Sequence, residues 1–295
     1  MTVAMDCFAA ELAGPLRHVA LAARALGGGL AAPPRARLPA GGTEVTGHRD
    51  YAPGDDIRQV DWNICARHDE LVVKQYRGQA DWCFYVLVDV SASMQLGRPP
   101  KSEVARRAAA ALVYVALDQM ARVTVLAVTD RVVGRSPAVR HTGRFATLLR
   151  FLERLEPTEA QTDLRASASQ FIHSTQRPGP TAVISDFYDP GGFEAALELL
   201  RHSGCEPRPV RIYDPCEAAP PWLGETELVD VESGQRWQLV ITRRDLQRYK
   251  RLMEEHDRAV AHYAARYRLR WTQIPVDGVT AEDVLMRAVG LRWRR

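Results

Sequence analysis

The segment Cys83-Phe-Tyr-Val-Leu-Val-Asp-Val90 constrains the fold more than any other stretch of the chain. Seven of its eight side chains are apolar, and they do not alternate with polar ones, so the segment has no face to offer to water. A strand of that kind belongs in a parallel sheet covered by helices on both sides. Residues 101–118 are alanine-rich, with Val104, Ala108, Ala111, Leu112 and Val115 at helical spacing and Ser102 available as cap. Strand patterns recur at 123–128, 181–185 and 209–213, with helical patterns near 143–154, 163–175 and 191–202 between them. This alternation predicts an α/β fold with a doubly wound, mostly parallel sheet.

The flanks read differently. Residues 7–27 have the pattern of an amphipathic helix, ended by Gly27-Gly28-Gly29 and followed by a Pro/Gly linker to residue 42. Strand patterns at 43–49 and 70–77 enclose a turn-rich stretch and predict a small β-rich module over 43–80. The α/β domain is expected over 81–214 and again over 243–295, interrupted at 215–242 by a hairpin of strands 227–232 and 235–241 joined at Ser233-Gly234. Thr242 is placed to cap a long polar helix reaching about Arg266, followed by a strand at 269–274 and a helix at 280–290.

Composition narrows the function classes. The chain has 295 residues, 46% of them hydrophobic, with a net charge of +3, too small and dispersed for a nucleic-acid-coated protein. Only three of the 39 basic residues are lysines (Lys74, Lys101, Lys250). The five cysteines are scattered, with no CxxC pair, which points to a reducing cytoplasm rather than a disulfide framework or zinc ribbon. The apolar stretch from Phe8 to Leu30 is broken by Glu11, Arg17 and Arg24, so neither a signal peptide nor a membrane span is expected, though peripheral membrane association stays open.

Asp89-Val-Ser91-Ala-Ser93 stands where the first buried strand leaves the sheet, the edge at which open α/β sheets bind ligands. One carboxylate and two hydroxyls suit Mg²⁺, a hard cation that takes oxygen ligands with only one or two carboxylates. Thr162-Asp163-Leu164 opens a later helix and Asp186 ends the apolar strand Ala182-Val-Ile-Ser-Asp186, so Asp89, Ser91, Ser93, Thr162 and Asp186 are expected to converge on one edge. Asp-x-Ser-x-Ser, Thr-Asp-Leu and Ile-Ser-Asp in this order resemble the metal-ion-dependent adhesion site (MIDAS) of von Willebrand factor A domains. The resemblance implies that Ser91, Ser93 and Thr162 touch the metal, that Asp89 and Asp186 act largely through waters, and that a partner protein's carboxylate fills the remaining position. Ala92 and Ala160-Gln161 stand where many members carry glycine.

A second resemblance is to the DUF58 family. It is carried by Arg49-Asp-Tyr51-Ala-Pro53-Gly54-Asp55-Asp56-Ile-Arg58-Gln-Val-Asp61-Trp62-Asn-Ile-Cys-Ala66-Arg67, continuing through Leu71-Val-Val-Lys74. Tyr213-Asp214-Pro215-x-Glu217 and Asp230-Val-Glu232-Ser-Gly234 match the family's later pattern, so the likeness covers about residues 40 to 291. It implies a partner among MoxR-type AAA+ ATPases, acting in maturation or metal loading of a client complex. Physically, Pro53-Gly54 sets a turn, and Asp55, Asp56 and Asp61 are within sequence reach of Arg49, Arg58 and Arg67 for an ion-pair network.

The remaining motifs are weaker. His256 and His262 lack zinc-protease spacing and are expected on a solvated surface. The basic run Arg243, Arg244, Arg248, Lys250 and Arg251 is expected to be an exposed face with i,i+4 pairs, and Trp62, Trp82 and Trp237 to be core anchors. The expectation is therefore a cytoplasmic, non-enzymatic interaction protein that uses Mg²⁺, or Mn²⁺ or Ca²⁺, and binds no nucleic acid. Two alternatives remain: a metal-dependent phosphohydrolase, for which Asp163 is the one further carboxylate, and nucleic-acid binding through helix 243–251.

Overall fold

The computed structural model describes residues 2–25, 45–52, 60–68, 71–76, 82–218, 220–232 and 234–291. The chain divides into two compact units, residues 31–82 and the remainder. Helix α1 (Thr2–Ala25) belongs with the larger unit. In the smaller one, β1 (Val45–Asp50) and β2 (Val72–Tyr76) pair antiparallel, and the short α2 (Trp62–His68) stands where only a turn-rich stretch is expected. Asp61 is held there by its N–H on the Val72 carbonyl (2.8 Å) and its Oδ2 on His48 Nε2 (3.0 Å). Tyr51 is half-buried just past β1. Trp62 is 61% exposed, so it does not anchor a core as expected. Pro53, Gly54, Asp55, Asp56 and Arg58, and the side chains of Arg49 and Arg67, lie outside the described residues.

The larger unit is built on six strands. They are β3 (Cys83–Asp89), β4 (Arg122–Val128), β5 (Val132–Arg135), β6 (Pro180–Ser185), β7 (Glu206–Tyr213) and, after a separate hairpin of β8 (Gly224–Val229) and β9 (Arg236–Ile241), β10 (Thr272–Pro275). The sheet order is β10-β7-β6-β3-β4-β5, parallel throughout except that β5 pairs antiparallel with β4. That edge strand, four residues long and half-exposed, is too short to stand out in the sequence. The hairpin pairs only with itself, in register from Gly224↔Ile241 to Val229↔Arg236, and shares no sheet with β1 and β2 among the described residues.

Helices cover both faces, as the unbroken apolar strands require. On one side lies α3 (Lys101–Asp118), with α4 (Phe145–Glu153), α9 (Ala281–Ala288) and α1 packed about it. Its alanines Ala105, Ala108, Ala109, Ala110, Ala111 and Ala116 are completely buried, and small side chains let α3 approach sheet and neighbouring helices alike. Its N-cap is Pro100; Ser102, expected to cap it, lies one residue inside the helix and is buried. Arg24 Nε donates to Asp118 Oδ2 (2.6 Å) and joins α1 to the end of α3.

On the other face α5 (Leu164–His173), α6 (Phe193–His202) and the second half of α8 (Arg243–Arg266) close a core of Tyr85, Leu87, Phe171, Phe187, Phe193 and Val260 with their neighbours. Helix α8 is capped by Thr242, as the sequence leads one to expect, and Asp245 completes a reciprocal capping box with it.

Sheet and loop approach closely at Gly179, where a Cβ would overlap the Cys83 carbonyl oxygen. Since both partners are backbone, Gly179→Ala is expected to cost about 1–3 kcal/mol in a urea titration. An unchanged midpoint would show that the β6 entry has slack.

Candidate functional site at the carboxyl edge of the sheet

The chain runs β3-β4-β5 outward, then crosses back over β3 to continue β6-β7-β10 in the opposite direction. The point where the order reverses lies between β3 and β6, and open α/β sheets bind ligands at the carboxyl ends of strands at such a switch point. Asp89 ends β3 and Asp186 follows β6, so both carboxylates stand there, joined by Ser91, Ser93 and Thr162 from adjoining loops. All five side chains are buried.

Hydrogen bonds fix the loops. The Ser91 N–H donates to Asp89 Oδ1 (2.9 Å), and the Ser185 hydroxyl donates to Asp89 Oδ2 (2.6 Å). A 3-10 turn over Ala92–Gln95 leaves the Ser91 and Ser93 hydroxyl oxygens 3.2 Å apart. The Ala92 N–H reaches the Ala160 carbonyl (3.2 Å) and the Thr158 N–H reaches the Val90 carbonyl (2.7 Å), tying the Thr162 loop to the end of β3. Asp189 accepts from the Leu164 N–H (2.9 Å), linking the loop after β6 to the start of α5.

Asp186 is held from two sides. Its Oδ1 accepts from the Tyr188 N–H (3.1 Å) and its Oδ2 from Lys101 Nζ (2.7 Å), and Lys101 also reaches Glu217 Oε1 (2.7 Å) on α7 (Pro215–Ala218). Arg211 is buried beneath the loop, its Nε on the Asp186 carbonyl (3.3 Å), with further bonds to the Tyr188 hydroxyl (2.9 Å) and to Asp257.

Burial opposes the Lys101 ammonium, but Asp186 and Glu217 more than offset it and hold its pKa above the ordinary lysine value. Asp89 has no such partner. Burial first, and the Asp186 charge second, push its carboxyl up to about 7. No Lys, Arg or His pairs with it among the described residues.

This arrangement fits a small divalent cation. Neighbouring ligands around an octahedral Mg²⁺ lie about 3 Å apart, the spacing of the Ser91 and Ser93 hydroxyls. A buried carboxylate without a counter-cation adds the charge such an ion would neutralise. The donors are mostly hydroxyls, and no group of three or more His, Cys, Asp or Glu side chains is placed to hold a metal among the described residues.

Charged residues outside the motif expected to form this edge also stand at it, among them Lys101, Glu217 and Glu232. The Thr162 hydroxyl donates to Glu232 Oε1 (3.2 Å) and the Thr162 N–H to Oε2 (3.5 Å). Asp163 accepts from the Ala166 N–H (2.8 Å) and caps α5, and with Glu217 and Glu232 present it is not the one further carboxylate. A signal existed for each: Lys101 is one of three lysines among 39 basic residues, and Glu217 and Glu232 fall in the two later motifs.

Other expectations change. His256 packs its ring against Tyr188 and Phe193 rather than lying on a solvated surface. Trp237 is 43% exposed on the hairpin and does not anchor a core. The basic run at the start of α8 is an exposed face as expected, and the i,i+4 pair on this helix is Glu254 with Arg258.

Fold and site together define an α/β protein with a mostly parallel six-stranded sheet and a polar, hydroxyl-rich site at its switch point. The chain belongs to the family described as protein of unknown function DUF58, whose model matches residues 47–259. An uncharacterised protein of Mycobacterium tuberculosis is 29% identical over 203 residues, 67% of this chain and 63% of that protein, so the match spans less than two thirds of that relative's length. Among solved structures, BatB from Bacteroides thetaiotaomicron is similar over 70% of this chain and 96% of its own, at 16% identity and a TM-score of 0.45. Proximal thread matrix protein 1 from the mussel byssus, with a zinc-occupied MIDAS motif, covers 45% of this chain and 38% of its own at 12% identity and a TM-score of 0.34. Among the described residues no helix is long and apolar enough to cross a membrane.

Proposed function

We propose that the chain is a non-enzymatic interaction protein of the von Willebrand A type, which binds a divalent cation, Mg²⁺ first, at its carboxyl edge. The observation that carries this reading is the pair of ligand-spaced hydroxyls of Ser91 and Ser93 beside the uncompensated Asp89 carboxylate at the switch point. Ser91, Ser93 and Thr162 would hold the ion, with Asp89 and Asp186 behind them. The chemistry it supplies is a Lewis-acidic position for an acidic side chain of a protein partner. Lys101 and Arg211 keep Asp186 fixed in one orientation, so the edge needs little reorganisation on binding. The family resemblance suggests a MoxR-type AAA+ ATPase as partner, with Asp230-Val-Glu232 and Tyr213-Asp214-Pro215 as the family's own additions near the site.

The test is capture of such an ATPase by the full chain in Mg²⁺ or in EDTA, comparing wild type with Ser91→Ala/Ser93→Ala. Capture is expected to fall at least about tenfold on chelation and in the double variant. Equal capture in all four conditions would remove the metal-bridge reading.

A further inference from the structure

Resting on the proposed metal-binding edge, we infer that Glu232 is a ligand of that site, supplied by the chain itself from the inserted hairpin. Its carboxylate takes the coordination position otherwise left for a partner.

Both Glu232 oxygens face Thr162, one on the hydroxyl at 3.2 Å and one toward the backbone N–H at 3.5 Å. The first distance matches that between the Ser91 and Ser93 hydroxyls, and both match the separation of about 3 Å between neighbouring oxygen ligands of one small cation. The carboxylate is thus seated against a hydroxyl donor at ligand spacing. No cation pairs with it among the described residues, and the charges of Asp186 and Asp230 act on it. Asp89 beside Ser91 and Glu232 on Thr162 are thus both without a paired cation among the described residues, while the ammonium of Lys101 serves Asp186 and Glu217.

The hairpin is built to present this side chain. Asp230 closes the turn through its N–H on the Gln235 carbonyl (2.9 Å), and its carbonyl accepts from the Gly234 N–H (2.9 Å). Gly234 takes a φ of 70°, which glycine adopts without strain. The Asp230 carboxylate accepts from the Glu232 N–H (2.8 Å) and fixes the backbone of the residue that reaches Thr162. Both strands of the hairpin are otherwise largely exposed, and an isolated two-stranded hairpin is marginally stable in water. A metal–carboxylate contact at its tip would anchor it.

Two consequences follow. Metal binding orders the hairpin, and any carboxylate that binds the ion from outside must first displace Glu232.

Two measurements on the full chain test this. Calorimetric titration with Mn²⁺ is expected to show affinity about tenfold weaker in Glu232→Gln than in wild type, while Glu225→Gln, an exposed acid on the same hairpin, matches wild type. Hydrogen exchange is expected to slow across residues 224–241 when Mg²⁺ is added to wild type, and not in Glu232→Gln. Exchange in β3 and β6 checks that the variants are folded. If Glu232→Gln binds Mn²⁺ as tightly as wild type, with the same hairpin protection, the inference fails and the metal reading stands. If wild type binds no Mn²⁺, both fail together.

Discussion

Lys101→Met is expected to lower the unfolding free energy by about 3–5 kcal/mol, the scale for removing one partner of a buried ion pair. Lys101 is 1% exposed, and its ammonium sits 2.7 Å from both Asp186 and Glu217. Methionine preserves the length of the stem but leaves two carboxylates facing each other with water largely excluded. Asp186 cannot be resolvated without opening the loop after β6, which Arg211 and the Tyr188 N–H hold in place. Urea titration followed by circular dichroism measures the loss, and adding Glu217→Gln is expected to restore part of it, because one of the stranded charges is then gone. A loss under about 1 kcal/mol would mean that desolvating the ammonium already cancels most of what its pairing contributes.

Phe187→Ala is expected to cost a similar amount, about 3–5 kcal/mol, through the cavity left by a fully buried ring. That ring meets the edges of Phe193 (centroids 6.3 Å) and Trp271 (5.8 Å) in the core below α5, α6 and α8. Phe187 also carries a φ of 62°, in the left-handed region that costs a residue with a Cβ roughly 1–2 kcal/mol. The turn it makes sends Asp186 back over the switch point while its own ring enters the core. Phe187→Gly should therefore be at least as stable as Phe187→Ala, reversing the usual order in which glycine loses to alanine by about 0.5–1 kcal/mol. The ordinary order, glycine below alanine, would show that packing rather than backbone strain sets the cost at this position.

Much of the fold was legible because its signals are local. The unbroken apolar run of β3 and the alanine-rich pattern of α3 announce a two-sided sheet, and Thr242 announces the start of α8. β5 was missed because four residues on a half-exposed edge carry neither an apolar run nor a clean alternation. Trp62 and Trp237 were misplaced because an aromatic type says that burial is favourable, not that a core is within reach. Ser102 has a side chain that suits a cap, yet Pro100 holds that position.

The site divides along the same line. Asp89, Ser91, Ser93, Thr162 and Asp186 could be named in advance because each follows a recognisable strand or opens a helix, and parallel strands bring such ends to one edge. Lys101, Glu217 and Glu232 could not be assigned to it, since they arrive from α3, α7 and the hairpin tip, and Coulomb interaction acts on distance in space, not along the chain. The α/β class and the candidate hydroxyl-carboxylate set are legible in the sequence alone, because periodicity and strand ends are properties of neighbouring residues. Which charges surround that set depends on the fold, which brings a lysine to Asp186 and seats a glutamate on Thr162.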